Sequence, residues 1–297
     1  MNTTWGEVRV CDAHVHFFSH RFLQLLGAPP EKLSLLGWDL PAEDPVLLAD
    51  RWVRELDRHG VARAALIASV PGDVDSVAAA LAAHPARFSG YFMVNPSAPG
   101  AVQAAESALA QGLRGLCFFP AMHRYSMHDE RAVTLLELAA SRGNCLAFVH
   151  CGVLSVGVRG KLGLPSQFDM RFSNPLDLHA LALRFPQLPF VVPHFGAGMF
   201  REALMLGDLC PNVYLDTSSS NSWMKYQEAG CDLASVLRRA LAVFGPARLL
   251  FGTDSSFFPR GWHRGVFDAQ AAALFGLGVD GESARAIFGG NFERILC

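Results

Sequence analysis

Short apolar runs alternate with longer amphipathic stretches eight times along this chain, and that rhythm constrains the fold more than any single residue does. The runs lie at 8–13, 64–70, 88–94, 113–119, 145–150, 189–195, 213–217 and 248–253, each rich in Val, Leu, Phe or Ile. Near-continuous apolarity suits parallel strands that are covered outside by helices and packed inside by layered side chains. The intervening stretches read as helices at 44–59, 73–83, 97–111, 129–142, 175–184, 199–209, 233–244 and 266–277, with two shorter ones closing the chain. Leu47, Leu48, Trp52 and Leu56 share one helical face, Asp73 stands where an N-cap belongs, and Gly112, Gly143 and Gly245 stand where helices stop.

Eight strand–helix units predict a (β/α)8 TIM barrel, an α/β fold formed by one domain over residues 1–297. An open doubly wound sheet fits less well: it carries fewer strands, and no G-x-G-x-x-G follows the first run. Two connections after strands are long and rich in Gly, Pro and Ser, at 17–43 after the first strand and 151–174 after the fifth. In a barrel such segments lie on the catalytic face, where they serve as lids and substrate walls.

Charge excludes some partners. A net charge of −2 without a basic run offers nothing to nucleic acid or to an acidic membrane. The first ten residues are polar and then strand-like, unlike a secretory leader, and the seven cysteines form no Cys-x-x-Cys pair. Reduced, mostly buried thiols in a cytoplasmic protein are the expectation.

The polar residues in these runs share one position. The first strand leads into Asp12-Ala13-His14-Val15-His16, and residues two apart in a strand project to one side. His150 ends the fifth strand, His194 the sixth, and Asp254 follows the eighth. Any one of these fits a structural role. Four histidines and an aspartate at the same end of four strands fit a metal-centred site better, because imidazoles and a carboxylate with an open position are a catalytic zinc ligand set. The other histidines, His59, His84, His123, His128, His179 and His263, read as helix-end or loop residues. Arg124, Arg159, Arg171, Arg201 and Arg260 all follow strand C-termini, and guanidinium suits bidentate binding of a substrate carboxylate. Trp223 and Trp262 are candidates to wall a planar substrate.

Together the segments Asp12-Ala13-His14-Val15-His16, His150, His194-Phe195-Gly196, Gly252-Thr253-Asp254 and Gly290-Asn291-Phe292-Glu293-Arg294-Ile295-Leu296 resemble the amidohydrolase superfamily, in the branch called amidohydrolase family 2. The resemblance implies a distorted barrel with long loops after strands one and five, and one divalent ion as cofactor, Zn²⁺ first and Mn²⁺ second. It implies metal ligation by His14, His16, His150 and Asp254, and catalytic roles for Asp254 and His194. Binuclear members carry a lysine at the end of strand four. Here strand four reads Arg114-Gly115-Leu116-Cys117-Phe118-Phe119-Pro120, and Lys32, Lys161 and Lys225, the three lysines of the chain, lie elsewhere. One metal is therefore expected, with Cys117 a core thiol. The implied function is metal-dependent hydrolysis of a small carboxylate-bearing substrate such as a lactone, with Arg124, Arg159, Arg201, Arg260 and Trp223 as binding candidates. The alternative is non-oxidative decarboxylation of an aromatic or muconate-type acid, and assembly into a homodimer is left open.

Overall fold

The computed structural model describes residues 1–27, 30–218 and 221–296, so Cys297 and part of the first long connection lie outside the described residues. Eight parallel strands follow one another in sequence order: β1 (Val10–His16), β2 (Val61–Ala68), β3 (Phe88–Val94), β4 (Gly115–Phe118), β5 (Leu146–Val149), β6 (Phe190–Val192), β7 (Val213–Asp216) and β8 (Leu249–Leu250). The ladder between β8 and β1 is completed by backbone groups beyond the short last strand. Ala13 N–H donates to the Phe251 carbonyl at 2.8 Å, Asp254 N–H to His14 at 3.0 Å, and His16 N–H to Ser255 at 2.7 Å. The sheet therefore closes on itself as a TIM barrel, and strand eight arrives beside strand one.

Side chains sort with the two-residue period of a strand. Cys11, Ala13, Ala65, Ile67, Tyr91, Met93, Cys117, Leu146, Phe148, Val191 and Leu250 fill the interior, and Phe292 and Leu296 of the last helix pack on the same cluster. Their neighbours Val10, Ala64, Leu66, Phe92, Leu116, Ala147, Val149 and Val192 face the helices in the main core. Cys117 is fully buried inside the barrel, and burial holds its thiol well above its usual range, so it is a core thiol. The cysteines among the described residues are free.

β1 breaks this parity. Its register against β2 slips between Asp12 and Val15. Ala13 belongs to the interior cluster, yet Val15 belongs to the outer one. Such an irregularity re-aims the side chains that follow it, and here it turns His14 and His16 inward.

Helix starts largely follow their caps. Asp44 accepts from Val46 N–H ahead of Pro45–His59, Asp129 from Arg131 N–H ahead of Glu130–Arg142, and Asp232 from Ser235 N–H ahead of Leu233–Phe244. Asp73 does not cap Val74–Ala83, because its carboxylate is taken by Ser19 Oγ at 2.8 and 2.9 Å. The helix expected from 97 begins at Ala101, after a turn through Pro99 and Gly100, and the one expected from 175 opens as a 3₁₀ turn, Pro175–Leu178, before His179–Arg184. A short N-terminal hairpin, Asn2–Thr3 with Gly6–Glu7, was not expected from the apolar pattern, since its residues are mostly exposed. Among the described residues no helix is long and apolar enough to cross a membrane.

Candidate metal centre

The C-terminal mouth of the barrel gathers all five polar residues singled out in the sequence. His14 and His16 leave β1, His150 follows β5, His194 opens a short turn after β6, and Asp254 follows β8. His14 Nε2 and His16 Nε2 stand 3.4 Å apart, and Asp254 Oδ1 lies 3.8 Å from the first and 3.2 Å from the second. His150 stands outside this trio but beside it: its ring centroid is 5.3 Å from that of His194, which is 4.9 Å from that of His14.

Hydrogen bonds on the far side of each ring decide which nitrogens face the centre. Ser69 Oγ donates to the Ile67 carbonyl at 3.0 Å, so it accepts from His16 Nδ1–H at 2.7 Å, and His16 Nε2 carries a lone pair. His14 Nδ1–H donates to Asp216 Oδ2 at 2.7 Å, which leaves His14 Nε2 a lone pair as well. Two lone pairs and a carboxylate oxygen thus converge on one point. Without a cation that arrangement is repulsive. A tetrahedral Zn²⁺ with bonds of about 2.1 Å sets ligand nitrogens about 3.4 Å apart, the separation of these two rings. The donor set therefore fits a divalent metal. The buried His150 Nδ1 lacks a hydrogen-bond partner among the described residues, which marks a further open donor beside the trio.

Electrostatics agree. Burial pushes His150, His194 and His16 below the usual imidazole range, so these rings are neutral. Burial opposes ionisation of Asp254, but positive charge on the His16, His194 and His14 side of it, the place a bound cation would take, holds its carboxyl well below the usual range. For Asp216 burial likewise loses to the charge and hydrogen bond of His14. Burial disfavours a charge on His14, and Asp216 overcomes it and raises its proton affinity. The positive charge that the ionised Asp216–His14 pair invites is the charge a bound cation would replace.

Asp216 and Ser218 are residues that the strand-end reading missed. Asp216 accepts from Ser218 N–H at 2.6 Å, and Ser218 Oγ lies 2.9 Å from His14 Nδ1 and 3.0 Å from His194 Nδ1. The signal was present: Tyr214-Leu215-Asp216-Thr217-Ser218 ends an apolar run in three polar residues at the mouth of the barrel. Asp12 does related work on the other side. It accepts from His14 N–H, Thr253 N–H and Trp262 Nε1–H at 2.9, 3.1 and 2.7 Å, and so fixes β1 against the segment after β8.

Backbone strain concentrates at the same mouth. His194, Phe195 and Ala197 adopt φ of 56°, 55° and 43°, and Asp254 adopts 58°. Left-handed backbone is uncommon for residues other than glycine and costs of order 1–3 kcal/mol apiece. Closure of the site holds these residues there. His194 Nδ1–H donates to the Ser218 carbonyl at 3.0 Å, so its Nε2 is the free end.

The predicted binding residues separate. Arg260 reaches the cavity in front of Asp254, where its guanidinium stacks on Phe257 at 4.5 Å and donates to Ser256 Oγ and the Asp254 carbonyl at 2.9 and 3.2 Å. Arg159 lines the same cavity while donating to the Pro165 carbonyl. Arg124 is not brought there: it grips the Gln167 carbonyl at 2.8 and 2.6 Å and so pins the long segment after β5. Arg201 is not either, being exposed and paired with Glu202, and Arg171 is spent on Asp169. Trp223 is buried against Phe195 and Phe200 at the edge of a second cavity that His150, His194 and Asp254 also line. Trp262 is a core residue held by Asp12.

A family model described as "Amidohydrolase" (Amidohydro_2) matches residues 11–296. The chain belongs to the amidohydrolase family. It is an enzyme of that family on a TIM-barrel fold, and solved structures share the fold. An uncharacterized TIM-barrel protein from Bordetella bronchiseptica matches with a TM-score of 0.67 at 18% identity over 97% of this chain and 98% of its own. An amidohydrolase from Burkholderia multivorans with bound zinc gives 0.65 at 16% identity over 97% and 99%. An Acinetobacter baumannii protein described as a "probable 2-pyrone-4,6-dicarboxylic acid hydrolase", with citric acid bound, gives 0.61 at 14% over 97% and 99%. Among curated proteins, "Protein fluG" of Emericella nidulans is 36% identical over 87 residues, which is 29% of this amidohydrolase and 10% of that protein's length.

Proposed function

We propose that this amidohydrolase-family enzyme is a metal-dependent hydrolase of a small carboxylate-bearing substrate such as a lactone, working with one divalent ion, Zn²⁺ in the first instance. The observation that carries the reading is the convergence of His14 Nε2, His16 Nε2 and Asp254 Oδ1 on one point, with the lone pairs of both rings aimed there by Asp216 and Ser69. A divalent ion held by these three groups, with His150 beside them, supplies Lewis acidity that activates water and polarises the substrate oxygen. The carboxylate-binding neighbour from Acinetobacter and the zinc-bound neighbour from Burkholderia support the choice of substrate class and ion.

The chain's own residues do the rest. Asp254, held ionised, has a carboxylate oxygen to accept a proton from the attacking water. With Nδ1–H committed to Ser218, neutral His194 presents an acceptor at Nε2 and becomes a donor to the leaving group only after it takes up a proton. Arg260 orients the substrate carboxylate: its stacked guanidinium is in the cavity and is not closed off by a carboxylate partner among the described residues. Cation and stacked ring together hold a planar anion in one orientation.

Metal analysis of the isolated protein, paired with His14→Ala and a panel of carboxylated lactones, tests this. One equivalent of divalent metal, lost in His14→Ala together with lactone hydrolysis, is the expected result. Wild-type protein free of metal, metal retention in the variant, or carbon dioxide release from aromatic acids in place of hydrolysis would overturn it.

A further inference from the structure

The metal centre stands at the junction of two chambers, and they differ in chemistry. The larger, about 320 Å³, and the smaller, about 270 Å³, share four lining residues: His150, Ser155, His194 and Asp254. Ser155 belongs to the long segment after β5, which walls both chambers. One side of the larger chamber is a column of stacked aromatic rings. Phe257 stacks on Trp38 at 4.5 Å and 13°, Trp38 on Phe18 at 5.5 Å and 17°, and Phe18 on Phe22 at 4.2 Å and 7°, while His16 stacks on Phe18 at 5.4 Å. Arg260 caps the column over Phe257. The column is built from the segments after β1 and β8, two connections that meet only because the barrel closes. Rings fixed face to face present a flat apolar wall, the surface a planar ring packs against.

The smaller chamber is polar. Ser222, Lys225 and Tyr226 line it opposite the shared residues. The Lys225 ammonium lies 5.0 Å from the Tyr226 ring, and no carboxylate among the described residues pairs with it. Asp254, one of the trio, is the one acidic side chain among the described residues that line either chamber. A compact one-piece substrate held in one chamber would make no use of the other.

Resting on the hydrolase reading above, we infer that the substrate has two parts joined by the bond that is hydrolysed: an aromatic acyl part in the larger chamber, where Arg260 orients a carboxylate on its ring, and a short anionic alcohol or amine part in the smaller one, set by Lys225. The acyl carbonyl then lies between His150, His194 and Asp254. For the ester, the oxygen of water joins the acyl carbon and the acyl–oxygen bond breaks. One proton of water ends on the released hydroxyl, and the other passes to the medium as the new aromatic acid ionises. Each product then occupies its own chamber.

Two measurements test this, one without turnover. In NMR with benzoate and 3-hydroxypropionate added together, both fragments bind at once and give interligand NOEs, and Lys225→Met weakens 3-hydroxypropionate at least fivefold more than benzoate. In kinetics, a benzoyl ester of 3-hydroxypropionate is preferred at least tenfold in kcat/KM over a benzoyl ester of propanol. Lys225→Met collapses that preference through KM, and Trp38→Ala collapses the preference for benzoyl over acetyl. Fragments that exclude each other, or a Lys225→Met enzyme with the wild-type preference, overturn the two-part substrate. Hydrolysis of lactones without either preference also overturns it and leaves the hydrolase intact. Joint fragment binding with no ester or lactone hydrolysed would instead overturn the hydrolase reading on which the proposal rests.

Discussion

At the scale of single residues, the site works through groups that never meet a substrate. His14 and His16 are competent ligands only in one tautomer, and Asp216 and Ser69 select it. Partners behind metal-binding imidazoles typically carry 10–100-fold of metal affinity. Asp216→Asn is therefore expected to weaken metal binding by at least tenfold while leaving the circular dichroism spectrum unchanged. Competition against a chromophoric chelator measures it, and an affinity equal to wild type would show that Asp216 has no such role. The residue-level chemistry was partly legible in advance. Histidines and an aspartate at strand ends announced themselves because the strand ends recur regularly and barrel closure brings them to one mouth. Asp216 did not, because one aspartate at the end of an apolar run is ordinary until the fold sets it against His14. The arginines were legible only as candidates: Arg260 and Arg201 look alike in sequence, and only the position of Glu202 and of the cavity tells them apart.

Among the elements, the loops after β5 and β6 are welded by a close backbone approach. Gly152, at φ 76°, donates to the Ser173 carbonyl, and Val153 donates to the Ala197 carbonyl at 2.7 Å. A Cβ at position 152 would overlap the Gly196 and Ala197 carbonyls. Gly152→Ala is expected to cost about 2 kcal/mol or more, from forced backbone movement added to a left-handed φ. Urea unfolding checks it, and a variant within 0.5 kcal/mol of wild type, about the spread of neutral surface changes, would contradict the packing. The first long connection is anchored differently. Ser19 caps His20–Leu25 and also contacts Asp73, whose carboxyl burial raises to about 6 against the opposing hydrogen bonds of Ser76 and Ser19. A carboxyl whose folded pKa lies above its unfolded value binds its proton more tightly in the native state. Its contribution to stability is present at low pH, declines as pH rises from about 4 to about 6, and is gone above that, an amount of about 3 kcal/mol. Asp73→Asn removes this group, so the stability difference between variant and wild type is expected to shift in the variant's favour across pH 4–6. A difference independent of pH in matched unfolding curves would refute the assignment. The sequence placed Asp73 at the start of a helix correctly and assigned its bond wrongly, because the competing Ser19 lies 54 positions away.

For the whole molecule, closure is what makes a site. Asp254 N–H to His14 and His16 N–H to Ser255 are hydrogen bonds of the barrel seam, and His14, His16 and Asp254 are also the candidate metal donors. Metal binding should therefore stabilise the entire fold by mass action, by about 2.7 kcal/mol when the ion is present at a hundred times its Kd. Removal by a chelator is expected to lower Tm by about 5 °C in wild type, a shift of the size such an energy gives in a chain of this length. His14→Ala should show no chelator dependence in the same calorimetric scan, and an equal shift in both proteins would mean that the ion binds elsewhere. The sequence by itself determined the eight-unit barrel, the mouth that holds the candidate site, and the five residues gathered there, because hydrophobic period and strand direction are local properties that add up in only one closed way. Tertiary structure alone decided the rest. The β1 register slip that turns His14 and His16 inward, the tautomers set by Asp216 and Ser69, the choice of Arg260 over Arg124 and Arg201, and the division of the mouth into an aromatic and a polar chamber all depend on groups brought together from distant parts of the chain. Periodicity records which face a residue takes; it does not record what waits on the other side.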